Sequence, residues 1–175
     1  TVDGVAPPEI PLFLHFGQDA QNAWKKLVED CEKEKDCRTA FPDLKALLSK
    51  IMAQLPREVP TADPATGEIR TIMWNQEAVV GAIRATLYNS SLSSVLPVAL
   101  KEASEGNFSP LLALTRSMQR PLGEGLSEGM LLSVVCTEDF PRIPSEVPPT
   151  EMFKNIYVDW LKVACQDWPQ GVLPA

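Results

Sequence analysis

Sixteen prolines divide this 175-residue chain into short segments, and they constrain its fold more than any other feature. Proline has no backbone N–H and is excluded from the interior of helices and central strands. Here the prolines fall mostly between segments whose apolar residues recur at helical spacing. That placement is typical of helix boundaries and not of a disordered tract. The sequence therefore predicts a series of helices that are separated by prolines.

Apolar residues three and four positions apart predict about seven helices. Asn75 is a good N-cap for the third helix, and Ser109-Pro110 is typical of a helix start. Pro97 is expected to kink the fourth helix or to mark its true beginning. Residues 131–136 alone also fit a buried strand, although the length of the apolar run favours a helix. The predicted helices cover residues 16–31, 42–55, 75–87, 91–105, 109–119, 126–136 and 150–164.

Residues 57–74 have a different pattern. Two short extended segments flank a turn that contains Pro64 and Gly67, which predicts a β-hairpin. There is no βαβ alternation and no internal repeat. We therefore expect a mainly α fold with about seven helices and one small β-hairpin. A chain of 175 residues can form one domain, here 1–175, with irregular flanks at 1–15 and 166–175.

The charge distribution argues against two classes of partner. Net charge is −7, and the basic residues are scattered, so neither nucleic acid nor an anionic membrane surface is an expected partner. No apolar run reaches the roughly 18 residues of a membrane span. The chain has neither an initiator Met nor a signal segment, so we expect a processed, excised or engineered piece of a longer protein.

Four cysteines, Cys31, Cys37, Cys136 and Cys165, favour disulfides over a metal site. Five residues separate Cys31 from Cys37, and the chain has a single histidine, which fits zinc ligation poorly. A local disulfide between Cys31 and Cys37 fits better and would contribute roughly 2 kcal/mol. Cys136 and Cys165 could form a second bridge. An even cysteine count indicates an oxidising compartment, and four reduced, buried cysteines are the alternative.

The sequence contains no complete catalytic motif. It lacks the G-x-S-x-G nucleophile elbow, the phosphate-binding glycine motifs and H-E-x-x-H. The single histidine, His15, lies in an irregular segment and is interpreted as a surface or packing residue. No catalytic residue, metal or cofactor is therefore predicted.

Residues 129–143, GMLLSVVCTEDFPRI, hold the one concentration of chemistry. An apolar run ends there in two adjacent carboxylates, Glu138 and Asp139. In one interpretation the pair is an exposed and inert helix flank that slightly opposes the helix dipole. In the other, one or both carboxylates face a cleft and bind a cation such as a substrate ammonium group.

Several stretches together resemble secreted bacterial α/β-hydrolases of the proline iminopeptidase-like and tripeptidyl-aminopeptidase-like serine peptidases. The resemblance covers nearly the whole chain. It rests on DGVAPPEI, the Cys31–Cys37 segment running into AFPDL, the P-x-TGE hairpin, LPVALKEASEGNFSPLLAL, GMLLSVVCTEDFPRI and ACQDWPQG.

The resemblance implies that the chain is the helical cap, or lid, of such an enzyme, without the central sheet. The nucleophile, the acid and the catalytic histidine would then lie outside residues 1–175, and the flanks would join the hydrolase core. Glu138, with Asp139 as the second candidate, would hold the free amine of a peptide or small amine-bearing substrate. Cys136 and Cys165 would join the exit of the cap to the core approach.

Several expectations follow from the cap interpretation. The isolated chain would be inactive, the parent enzyme would be secreted or periplasmic, and its missing core domain would be the partner of this chain. An excised cap would self-associate through its exposed docking face. The alternative is a self-sufficient helical binding module with no catalytic role.

Overall fold

The computed structural model describes residues 7, 9–63, 65–123 and 127–169, with only the backbone described at 119–123. The protein is mainly helical and has a small two-stranded antiparallel sheet, as the sequence predicts. The elements of the described residues are α1 (Phe16–Lys33), α2 (Lys35–Ala40), α3 (Leu44–Met52), β1 (Arg57–Ala62), β2 (Ile69–Trp74), α4 (Gln76–Leu87), α5 (Ser90–Ser93), α6 (Leu96–Ser104), α7 (Ser109–Gly123), α8 (Glu128–Val134) and α9 (Ile156–Ala164).

The described part of the chain has nine helices where the sequence predicts about seven. The helical conformation is interrupted at Glu34, and Cys37 lies in the short helix α2 that follows. The predicted helix over 91–105 is split into α5 and α6. Pro97 is the second residue of α6, a position that needs no N–H donor, so it marks the true start of that helix. Residues 131–134 are helical, which settles the ambiguity over 131–136 in favour of a helix.

The predicted start of the last helix at Thr150 is wrong, because α9 begins at Ile156. Lys154 has φ 48°, in the left-handed region that interrupts a right-handed helix. The hydroxyl of Thr150 donates to the carbonyl oxygen of Lys154 at 3.2 Å, so Thr150 stabilises a turn instead of capping a helix. The predicted start of the second helix at Pro42 is also shifted, since Asp43 caps α3 by accepting from the N–H of Ala46 at 2.8 Å.

The hairpin is confirmed, with Val59 paired to Ile72 in its antiparallel register. Gly67 has φ 73° in the turn, a conformation that favours glycine. Asp63 closes the turn, because its side chain accepts from the N–H groups of Ala65 and Thr66 at 2.9 and 3.0 Å. These bonds hold the pKa of the Asp63 carboxyl below its ordinary value, the bond from Thr66 contributing most.

The chain divides into two compact units, and one of them is Ala23–Gly123. Within it α3 packs against α6, and α7 packs against α4 and α6. Trp74 of the hairpin meets Phe108 edge to face, with ring centroids 5.8 Å apart. Burial of each large aliphatic side chain contributes about 1.5–3 kcal/mol. The fully buried side chains of this unit include Ile51, Val79, Ile83, Leu96, Leu100 and Leu111.

The second unit combines the chain up to Asn22 with the chain from Glu124 onwards. Its core is a cluster of Val135, Cys136, Leu161 and Cys165. Partly buried apolar side chains pack on that cluster, namely Leu12, Phe13, Leu131, Leu132, Phe140, Ile143 and Trp168. Two distant parts of the sequence therefore share one core.

A close backbone approach also joins the two parts of this unit. A Cβ atom placed on Gly17, in the first turn of α1, would lie 2.6 Å from the carbonyl oxygen of Lys154. Glycine is therefore required there by space and not by backbone conformation.

In the flanks, residues 9–15 and 166–169 form turns and bends without a helix or strand. The remaining flank positions, 1–6, 8 and 170–175, lie outside the described residues. The single domain over residues 1–175 stays a prediction.

Candidate functional site

The two predicted site carboxylates lie on a widened turn that follows α8. The side chain of Ser127 caps α8 by accepting from the N–H of Met130 at 3.4 Å. Beyond Val134 the helix widens into a π-helical turn, Val135–Asp139, and then tightens into a 3₁₀ turn, Phe140–Arg142. Such a bulge changes the direction in which successive side chains point, and it is frequent at functional sites.

A buried disulfide fixes this turn to the end of α9. Cys136 and Cys165 are bonded, with their Cα atoms 5.1 Å apart, and neither is exposed to solvent. The bridge joins residues 29 positions apart, and in the chain-entropy model it stabilises the fold by roughly 3–4 kcal/mol. Cys136, two residues before Glu138, is thereby held in the core of the unit.

Asp139 is engaged in holding the structure together. Its Oδ1 accepts from the backbone N–H of Leu12 at 3.1 Å and from Nη2 of Arg142 at 2.8 Å. The side chain of Asp139 is 13% exposed and that of Arg142 is 33% exposed, so water screens this ion pair only partly. Asp139 therefore attaches the N-terminal segment to the turn, across 127 positions of sequence.

Arg142 contacts both predicted site residues. While Nη2 donates to the carboxylate of Asp139, Nε donates to the backbone carbonyl oxygen of Glu138 at 2.8 Å. The guanidinium thus fixes the backbone of Glu138 and not its side chain. Two donors on one planar group give this arrangement a defined orientation.

Glu138 is exposed, in contrast to its neighbour. Within the described part of the chain, its carboxylate has no hydrogen-bonding or ionic partner. Its backbone is fixed from both sides, by Arg142 and by the buried Cys136 two residues earlier. The site therefore presents one available negative charge on a constrained turn.

An open groove in the same unit does not contain the two carboxylates. It is lined by residues 145–149 together with Lys154, Asn155, Asp159 and Lys162. The interpretation in which Glu138 or Asp139 faces a cleft thus stays a prediction. Proline-rich backbone and mixed charge, not an acidic lining, characterise this groove.

The sequence analysis missed Arg142 and Leu12. Arg142 follows Glu138 by four positions and Asp139 by three, the spacings at which opposite charges meet on a helix. That spacing could have identified Arg142. Nothing local in the sequence indicates Leu12, because its contribution is a backbone N–H far from the turn.

The other predicted site residues lie as follows. Cys31 and Cys37 form a disulfide with a Cα separation of 5.0 Å, in the unit Ala23–Gly123. Two disulfides are typical of proteins that fold in an oxidising compartment. His15 is exposed. Among the described residues, no group of three or more His, Cys, Asp or Glu side chains could hold a metal ion. None of the described helices has both the length and the apolar content needed to cross a bilayer.

Comparison of the chain with protein-family models, with curated proteins and with solved structures found no match. The family resemblance carried by the sequence motifs therefore stays a prediction.

Proposed function

We propose that this chain is the helical, substrate-recognising cap of a secreted serine hydrolase that resembles the aminopeptidase-like α/β-hydrolases. Three features support the proposal: a mainly helical architecture with one small hairpin, the absence of a nucleophile motif from the sequence, and the motifs that carry the resemblance. In this role the chain gates access to a catalytic centre in the core domain and excludes water from it.

The available carboxylate of Glu138 is the observation that carries the recognition role. An ammonium group binds a carboxylate through charge-assisted hydrogen bonds, which are stronger than neutral ones. A carboxylate on a fixed turn positions the amine, and with it the scissile bond. Substrates with a blocked amine are disfavoured because they leave the carboxylate without its partner.

Exposed apolar side chains support docking of the cap on a core domain. Met130 and Val163 are 63% and 76% exposed in one unit, and Ile69 and Met73 are 67% and 60% exposed on the hairpin. In the parent enzyme these side chains contact the core. In the isolated chain they favour self-association.

A self-sufficient binding module is the second candidate, and the separate buried core of each unit favours it. Size-exclusion chromatography with light scattering discriminates between the two. An excised cap self-associates in a concentration-dependent manner, whereas a self-sufficient module remains a monomer with a high melting temperature.

The recognition role is tested by Glu138→Gln in the full-length parent. We expect KM for a free-amine peptide substrate to rise about tenfold, the effect of losing roughly 1.4 kcal/mol of charge-assisted binding. Turnover of the N-acetylated analogue stays unchanged. Glu151→Gln, which alters an exposed carboxylate of the same unit, is the matched control. It is expected to leave KM and turnover of both substrates unchanged. Equal behaviour of the two variants would remove Glu138 from the recognition site.

A further inference from the structure

The guanidinium of Arg142 bonds the backbone of Glu138, and among the described ion pairs it pairs with Asp139 and not with the carboxylate of Glu138. Arg142 is four residues from Glu138, a spacing at which Glu and Arg commonly form an ion pair. The guanidinium instead bonds the carbonyl oxygen of Glu138 through Nε and the carboxylate of Asp139 through Nη2, each at 2.8 Å. Asp139 thus forms an ion pair with the guanidinium, which would otherwise be attracted to the carboxylate of Glu138.

We infer that Asp139 is a specificity-determining positioning residue, which keeps Glu138 available to a cationic ligand by holding Arg142 in an ion pair. This inference rests on the proposed amine-recognition role of Glu138. Asp139 itself does not touch the ligand. It acts through Arg142, and the three side chains together retain one net negative charge.

The environment of the pair explains why Arg142 stays on Asp139. The side chain of Asp139 is 13% exposed, so its attraction for the guanidinium is less screened than that of the exposed Glu138. The N–H of Leu12 donates to the same oxygen of Asp139 and orients the carboxylate. The low exposure of Asp139 and its bond from Leu12 therefore favour the pairing of Arg142 with Asp139 over pairing with Glu138.

The variant Asp139→Asn separates the charge of Asp139 from its structural role. An asparagine Oδ1 still accepts from the N–H of Leu12, so the attachment of the N-terminal segment is retained. The variant removes the negative charge of Asp139 from beside Arg142, and we expect the guanidinium to turn its Nη groups to the carboxylate of Glu138. Glu138 is then neutralised within the protein.

The first measurement uses the 175-residue chain and is independent of any enzymatic activity. NMR detection of the Arg142 side-chain N–H groups is expected to show contacts to the Glu138 side chain in Asp139→Asn but not in the wild type. If Arg142 makes no such contact in the variant, the inference is overturned, whatever the function of the chain.

The second measurement uses the full-length parent and a free-amine peptide substrate. Asp139→Asn is expected to raise KM about tenfold with little change in kcat, since a neutralised Glu138 loses a charge-assisted bond. The double variant Asp139→Asn/Arg142→Gln restores one net negative charge and is expected to restore KM. A purely structural role of Asp139 predicts that the double variant is no better than the single one, which would overturn the inference.

The two outcomes separate the inference from the proposed function. If Glu138→Gln leaves KM unchanged, the amine-recognition role fails. The NMR contact between Arg142 and Glu138 then still decides whether Asp139 controls the charge of the turn.

Discussion

A single methyl group added at Gly17 tests the packing of the second unit, which combines the chain up to Asn22 with the chain from Glu124 onwards. A Cβ atom at Gly17 would lie 2.6 Å from the carbonyl oxygen of Lys154, which is 0.8 Å less than the 3.4 Å at which ordinary contact begins. The opposing atom belongs to the backbone, and the same oxygen accepts a hydrogen bond from Thr150. It cannot move aside as a flexible side chain would.

The free-energy change follows from two opposing effects. Overpacking of this kind costs about 1–3 kcal/mol. Replacement of glycine by alanine in a helix stabilises the folded state by about 0.5–1 kcal/mol. We therefore expect Gly17→Ala to lower the free energy of unfolding by about 1–2 kcal/mol, which corresponds to a fall in Tm of about 2–8 °C for a protein of this size.

Circular dichroism during thermal and urea unfolding measures the effect, and Gly129→Ala is the matched control. Gly129 lies in α8 of the same unit, and a Cβ atom there meets nothing within 4 Å. The control is expected to be neutral or slightly stabilising. If Gly17→Ala is as stable as Gly129→Ala, the close approach of α1 to Lys154 does not exist, and the account of this unit is wrong.

Two further predictions concern the disulfides and the hairpin. Replacing Cys136 and Cys165 together by alanine is expected to lower the free energy of unfolding by roughly 3–4 kcal/mol, against roughly 2 kcal/mol for Cys31 and Cys37, because the bridged separations are 29 and 6 residues. Equal losses in urea unfolding would contradict this ordering. Hydrogen bonds from the N–H groups of Thr66 and Ala65 lower the pKa of Asp63, so the ionised carboxylate stabilises the turn. This stabilisation is complete above the ordinary aspartate pKa, and it is lost as pH falls through the lowered pKa. NMR titration is expected to give a midpoint below that of an unstructured aspartate, and Asp63→Asn is expected to abolish the transition.

The sequence predicted those parts of the fold that depend on local signals. Asn75 caps α4 by accepting from the N–H of Ala78 at 2.8 Å, and Pro97 lies at the start of α6. Each of these residues acts on its own neighbours, so the pattern around it is sufficient.

The errors arose where no local signal exists. Lysine gives no indication of a left-handed conformation, so the turn at Lys154 could not be anticipated, and α9 was predicted six residues too early, at Thr150 instead of Ile156. The short helix α2 was likewise not predicted, because it falls in a charged stretch between two predicted helices.

The substrate-binding role of Glu138 and Asp139 stays a prediction. The pattern identified the two residues as a pair, but it could not indicate which of them makes contacts within the protein. The contact of Asp139 with the N–H of Leu12 spans 127 positions of sequence. A contact of that separation follows from the packed structure of the unit and not from the spacing of residues within the turn.

The central claim is that this chain recognises a substrate but does not catalyse its reaction. Hydrolysis of aminoacyl and tripeptidyl chromogenic substrates by the purified 175-residue chain tests the claim most directly. The account predicts no turnover above background, because the proposed function assigns the catalytic serine, acid and histidine to the core domain of a parent enzyme. Turnover by the isolated chain that survives a serine-directed covalent inhibitor would contradict the account.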